Sequence, residues 1–199
     1  MKQTLRVTTL LLFAFAAIFT LSSTAQAQKI DFAFGISTID APGASAADSN
    51  HSPVSLTGGT YPGFSADVIF FHDLGIGGEI YWKGSRRDYA GDPTFPMRPI
   101  FFDFNAVYSP KLASHTYLEL VGGIGAQDTR IYCQGCSTSI YTNYVSDKHF
   151  MADFGVGLKF YPKGGWFIRP EGRLYLVNNN QLFSSPRITR YGVSIGYTF

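Results

Sequence analysis

Eleven ionisable side chains fall on one parity of an alternating sequence. Asp31, Asp67, Glu79, Asp103, Glu119, Asp153 and Glu171 are acids; Lys159, Arg169, Arg173 and Arg190 are bases. Around a watery conduit such groups would select ions. Across a narrow interior they would pair and hold it rigid, because a buried charge without a partner is costly. Pairing is the expectation, with Glu79 and Glu119 set against Arg169 and Arg173. Nucleophilic chemistry needs a Ser or Cys beside a base. The nearest candidate is His51 with Ser52, in SNHSP; adjacent side chains of an extended segment diverge, and His72, His115 and His149 stand alone in the sequence. No catalytic residue, cofactor or metal ligand is therefore assigned. Cys133 and Cys136 form CQGC among polar residues. A zinc site would need further ligands, and a redox pair would want a βαβ setting. A local disulfide that pins a loop in an oxidising compartment is the preferred reading.

The elements that carry these charges read as strands. Ile30, Phe32, Phe34 and Ile36 alternate with Asp31, Ala33, Gly35 and Ser37. Phe64, Ala66, Val68 and Phe70 alternate with Ser65, Asp67 and Ile69, and Ile76, Gly78, Ile80 and Trp82 with Gly77, Glu79 and Tyr81. The same period returns around Ile100–Ala106, Leu118–Ile124, Phe150–Lys159, Trp166–Leu176 and Tyr191–Phe199. That makes about eight strands of about ten residues, the length that crosses a bilayer when tilted. Pro170 interrupts the seventh, where it removes a ladder hydrogen bond, so a bulge or a register slip is expected there. Short connections fall near His72-Asp73, Ser109 to His115 and Pro162 to Gly165. Long ones run from Ile39 to Thr60, Gly84 to Phe95, Thr129 to Lys148 and Val177 to Pro186. Short turns at one end and long loops at the other leave both termini on the short-turn side, which requires an even number of strands.

The bulk composition agrees. The chain has 199 residues, 15% charged and 16% aromatic, with a net charge of +2. A mean hydropathy of only +0.03 in so apolar a chain suits alternation rather than long hydrophobic runs. The small net charge, with no basic cluster, argues against nucleic acid. The first 27 residues read as a secretory signal: Lys2 and Arg6, an apolar run from Thr8 to Leu21, and Ala25-Gln26-Ala27 before the cut. The run is shorter than the ~20 residues of a spanning helix. The domain is then 28–199.

Alternation alone does not say which face is inside, since a soluble barrel also alternates. Three features put the apolar face outward. It carries no Asp, Glu, Lys or Arg on any assigned strand, as lipid demands. Aromatic residues gather at strand ends: Phe70, Phe71, Tyr108, Tyr117, Phe160, Tyr161, Trp166, Tyr197 and Phe199 at the short turns, and Trp82, Tyr132 and Tyr191 toward the long loops. These are expected to form interfacial girdles. Glycine favours the charged face, as at Gly35, Gly77, Gly123 and Gly155, where small residues leave room for Arg and Glu in a barrel barely wide enough for its side chains.

Signal, eight alternating strands, inward charges and the final YTF together resemble the small eight-stranded outer-membrane β-barrels, the OmpA/OmpX-like superfamily. The resemblance covers nearly all of 28–199 and rests on pattern rather than on a catalytic motif. It implies an all-β, antiparallel up-and-down transmembrane barrel in the outer membrane of a Gram-negative cell, reached through the periplasm. It implies that Tyr191, Val193, Ile195, Tyr197 and Phe199 form the signal read by the barrel assembly machinery. Outer-membrane lipid and lipopolysaccharide are the implied surroundings, with Arg86, Arg87 and Asp88 able to touch phosphates. A monomer is expected, with a structural or surface-interaction role through four loops that include Tyr132, Tyr141 and Tyr144. A narrow porin-like channel is the alternative, and a lipid A-modifying barrel enzyme the third reading.

Overall fold

The computed structural model of the protein describes residues 29–41, 56–89, 92–133, 143–178 and 186–199. The proposed leader, His51, Ser52, Cys136 and Tyr141 lie outside the described residues. Among those described, the strands are β1 (Lys29–Asp40), β2 (Tyr61–Phe71), β3 (Leu74–Trp82), β4 (Arg87–Tyr89), β5 (Asp92–Tyr108), β6 (Lys111–Ala113), β7 (Thr116–Tyr132), β8 (Tyr144–Lys163), β9 (Trp166–Val177) and β10 (Arg187–Thr198). Every pairing is antiparallel. β1 joins β10 in register from Asp31↔Thr198 to Asp40↔Thr189, and β5 joins β7 from Met97↔Ile131 to Tyr108↔Leu120. These pairings close the sheet into an eight-stranded barrel, with β4 and β6 as short arms on β5 and β7. Closure removes the free edges that an open sheet would present.

The short turns set the register. His72 and Asp73 both take positive φ, 43° and 65°, between the paired Phe71 and Leu74. Left-handed conformation at both central residues is what a tight two-residue hairpin needs, because it matches the strand twist. Gly164, at φ 58°, opens the turn between Lys163 and Trp166. The Ser109–His115 connection is more ordered than expected: it folds into a small hairpin through β6.

The long strands from β1 to β9 place their even-numbered apolar residues outward, and β10 its odd-numbered ones. Phe34, Phe64, Ile80, Phe104, Ile124, Phe154 and Ile195 are all exposed, Phe104 to 75%. An apolar belt of this size on a water-soluble surface would aggregate; facing lipid it needs no partner. Among the described residues no helix is long and apolar enough to cross a membrane, and the strands do so instead.

Two expectations need correcting. β5, β7 and β8 run for 17, 17 and 20 residues, well beyond the ~10 that span a bilayer. Thr129–Tyr132 and Tyr144–Lys148 are strand, not loop, and the Gly84–Phe95 loop contains β4 and the start of β5. Backbone pairing does not stop where the apolar pattern stops, so this side of the barrel continues upward as a wall. Pro170 causes neither a bulge nor a slip. The ladder to β8 passes from Gly157↔Glu171 to Phe160↔Ile168 in constant register, merely omitting the pairs between, while the β10 side is unbroken through Val193↔Pro170. The missing N–H of proline costs the ladder to β8 alone.

Candidate functional site

Among the described residues, the lumen holds a dense group of buried charges. All eleven of the alternating ionisable residues are buried inside the barrel. The lower group centres on Glu119, which accepts from Arg169 Nη1 at 2.7 Å and from Lys159 Nζ. Lys159 also reaches Asp31 at 2.6 Å, and Arg169 reaches Asp67 at 3.4 Å. The upper group centres on Glu79, which accepts from Arg190 Nη2 at 2.7 Å, Arg173 Nη2 at 3.0 Å and the Tyr175 hydroxyl at 3.0 Å. Arg173 also pairs with Asp153 at 3.1 Å. Glu171 joins the two groups, accepting from Arg190 Nη2 at 3.0 Å and lying 2.9 Å from Arg169 Nε as an ion pair. Asp103 stands apart: among the described residues it has no cation partner and accepts from Asn105 Nδ2 at 2.6 Å. Glu79 thus meets Arg173 and Glu119 meets Arg169. Such pairs repay their desolvation only when geometry is good and further hydrogen bonds are made, and here most of the acids serve more than one donor.

Glycine on the inner face makes the room. A Cβ on Gly35 would fall onto the Tyr81 hydroxyl, and one on Gly155 onto Cδ of Arg173. The Arg190 guanidinium lies 3.5 Å above the Tyr81 ring centroid, a cation–π contact.

The alternation puts Tyr81, Phe101 and Tyr175 on the charged parity but does not show that they join a layer above the charges. Ile39, Tyr61, Tyr81, Met97, Phe101, Met151, Tyr175 and Ile188 form a buried apolar cluster in the outer half of the lumen. Phe101 stacks on Tyr175 at 5.3 Å and 10°, and Tyr61 tilts against Phe101 at 6.1 Å. Their parity is that of the charges, which is the signal that could have found them. Lys83, just beyond β3, covers this layer, donating from Nζ to the Gly58 carbonyl at 2.9 Å over the Tyr61 ring. Burial, with Arg87 nearby, pulls Lys83 below the ordinary lysine range. At the other end, Tyr117 and Tyr161 are not in the outer girdle as expected. They lie on the inner parity, Tyr161 packing edge-on against Tyr117 at 5.3 Å and against the buried Phe167 at 5.6 Å. The Tyr161 and Thr198 hydroxyls are hydrogen-bonded at 2.9 Å. Polar core, upper apolar layer and lower aromatic group fill the barrel from end to end.

A profile of the outer membrane protein beta-barrel domain matches residues 11–199. The chain belongs to that family. It is an outer-membrane protein, and its barrel is similar to several solved ones. Against Ail of Yersinia pestis the identity is 14%, with 86% of this chain and 97% of that chain covered and a TM-score of 0.53. Against Neisserial surface protein A the identity is 12%, coverage 86% and 97%, TM-score 0.58. Against the N-terminal barrel domain of Pseudomonas aeruginosa OprF the identity is 13%, coverage 86% and 97%, TM-score 0.54. At these identities the likeness is one of fold. No curated protein matches the chain in sequence.

The remaining candidate residues divide clearly. Cys133, at the end of β7, is disulfide-bonded. Of the histidines, His149 Nε2 sits 3.0 Å from Asp147 and His115 Nδ1 3.1 Å from Ser114, on opposite ends of the barrel. No group of three or more His, Cys, Asp or Glu capable of holding a metal occurs among the described residues. On the last strand Tyr191, Val193 and Ile195 point outward, while Tyr197 packs edge-on against Trp166 at 5.3 Å. Phe199 lies edge-on to Phe32 at 6.1 Å, and its N–H donates to the Ile30 carbonyl at 2.9 Å.

Proposed function

We propose that the protein is a membrane anchor for surface contact: a closed barrel that displays the upper wall of β5, β7 and β8 outside the cell and binds an anionic surface glycan there. The observation that carries this reading is the contrast between a lumen filled at every level and a wall that rises past the apolar belt. The filled lumen argues against the channel reading. The wall's edge combines cations with aromatic rings. Arg86 lies 3.8 Å above the Tyr132 ring, Tyr132 packs on Tyr144 at 5.7 Å, and Arg130 lies 4.8 Å from the Tyr144 ring. Guanidinium groups held on aromatic faces suit sulfated or carboxylated sugars, which offer paired anionic oxygens. Ail has been solved with the heparin analogue sucrose octasulfate, which adds support from a protein of the same fold. Cys133 at the tip would stiffen the wall. The last strand, with Phe199 beside Phe32, would carry the signal for the assembly machinery.

Immobilised heparin and sucrose octasulfate provide the test. The detergent-purified protein should be retained on heparin and displaced by the octasulfate. The combined variant Arg86→Gln, Tyr132→Ser, Tyr144→Ser should pass through while still migrating as a folded barrel on unheated gels. Retention of that variant equal to wild type, or no retention of either, would remove the reading.

A further inference from the structure

On the outward side of the same wall, the apolar belt gives way abruptly to charge. Register places the rows in order: Phe102, Ala126 and Phe150 side by side, then Ile100, Asp128 and Lys148, then Arg98, Arg130 and Ser146. The last apolar row and the first two polar rows border a cleft of about 500 Å³. Ile80, Trp82, Ile100 and Phe102 form its floor, all on the lipid-facing parity. Arg98, Arg130 and Lys148 line its upper part, with Asp128 the one acid among the lining residues.

The charges are not balanced. Asp128 is committed to its own neighbours, accepting from Arg130 Nε at 3.4 Å and from the Ser146 hydroxyl. Arg98 has no ion-pair partner among the described residues, and its Nε is buried without a hydrogen-bond partner there. Arg98 and Arg130 also stand directly opposite each other on adjacent strands. Like charges in that position repel, and a buried donor without an acceptor is costly. An anion between them would relieve both.

We infer that this cleft binds the phosphorylated headgroup of an outer-leaflet lipid. The cations sit in the two rows above the hydrocarbon belt, at headgroup depth, and the floor beneath them would lie along an acyl chain. Phosphate oxygens match the fork of an arginine and are held by charge-assisted hydrogen bonds. A free anion would use the cations but not the apolar floor. The site shares Arg130 with the glycan-binding edge proposed above, but it faces sideways into the membrane and does not depend on Arg86 or Tyr132.

The test uses the protein purified from outer membranes in detergent and delipidated. Bisphosphorylated lipid A, its chemically dephosphorylated counterpart and inorganic phosphate are added separately, and retention is read by native mass spectrometry. The wild type should retain the bisphosphorylated lipid and release the dephosphorylated one. Arg98→Gln with Arg130→Gln and Lys148→Gln should weaken retention by about tenfold or more. Lys148→Gln alone, at an exposed position, should weaken it several-fold with the barrel intact, and Arg86→Gln should leave it unchanged. Equal retention of the dephosphorylated lipid, or undiminished retention by the folded Lys148→Gln and triple variants, overturns the inference. Inorganic phosphate that displaces the lipid at equal concentration overturns the lipid assignment in favour of a free-anion site.

Discussion

Arg190 and Glu79 lie on strands that are not neighbours, β10 and β3, and meet inside the barrel at 2.7 Å. Their contact runs across the lumen rather than along a ladder, so it ties together strands that share no backbone pairing. Arg173 joins the same carboxylate at 3.0 Å. Removing that carboxylate leaves two buried guanidiniums short of a partner. Glu79→Ala is therefore expected to cost about 3–5 kcal/mol, read from urea unfolding of the refolded barrel in lipid.

Asp103 gives the opposite expectation. It is buried, with Asn105 as its hydrogen-bond donor and no cation partner among the described residues. Asp103→Asn keeps the shape and removes the desolvation cost of the charge. Stability in the same unfolding assay should hold or rise. A loss as large as that of Glu79→Ala would show that Asp103 takes part in the ion-pair network.

On the lipid side, Leu120 lies midway along the outward run from Thr116 to Ala126. Leu120→Arg should destabilise the barrel by about 2–4 kcal/mol in bilayers, the usual cost of a cation near the midplane. Lys111→Glu, exposed at the short-turn end, should be neutral. A harmless Leu120→Arg would mean that water, not lipid, bathes that face.

Phe199 ends the strand beside Phe32 and Ile30. If the last strand is the assembly signal, Phe199→Ala should lower the amount of folded barrel in the outer membrane several-fold. Purified and refolded in detergent, the same variant should unfold near the wild-type midpoint. Equal losses in both settings would assign Phe199 a role in stability instead.

Much of this architecture is legible in the sequence, because period-two alternation sorts every strand into two faces. Asp31, Glu79, Arg169 and Arg190 could be placed together without knowing any contact. Which cation meets which anion was harder. Arg190 reaches Glu79 because closure of β10 on β1 brings it across the lumen from β3, a property of the whole barrel. The lengths of β5, β7 and β8 were hidden because Arg98, Asp128 and Lys148 break the apolar pattern while the backbone pairing continues past them. Phe101 and Tyr175 share the charged parity and lie inside as that parity predicts, whereas Tyr117 and Tyr161, placed by their strand-end position in the girdle, turn inward. Pro170 looked like a break because its sequence shows the missing N–H but not which neighbour loses it.

Planar-bilayer recording of the refolded protein tests the filled lumen most directly. With the charge network, the layer of Tyr61, Phe101 and Tyr175, and the lower group of Tyr117, Tyr161 and Phe167 in place, no steady conductance should appear. A reproducible ohmic conductance from single inserted barrels would contradict it.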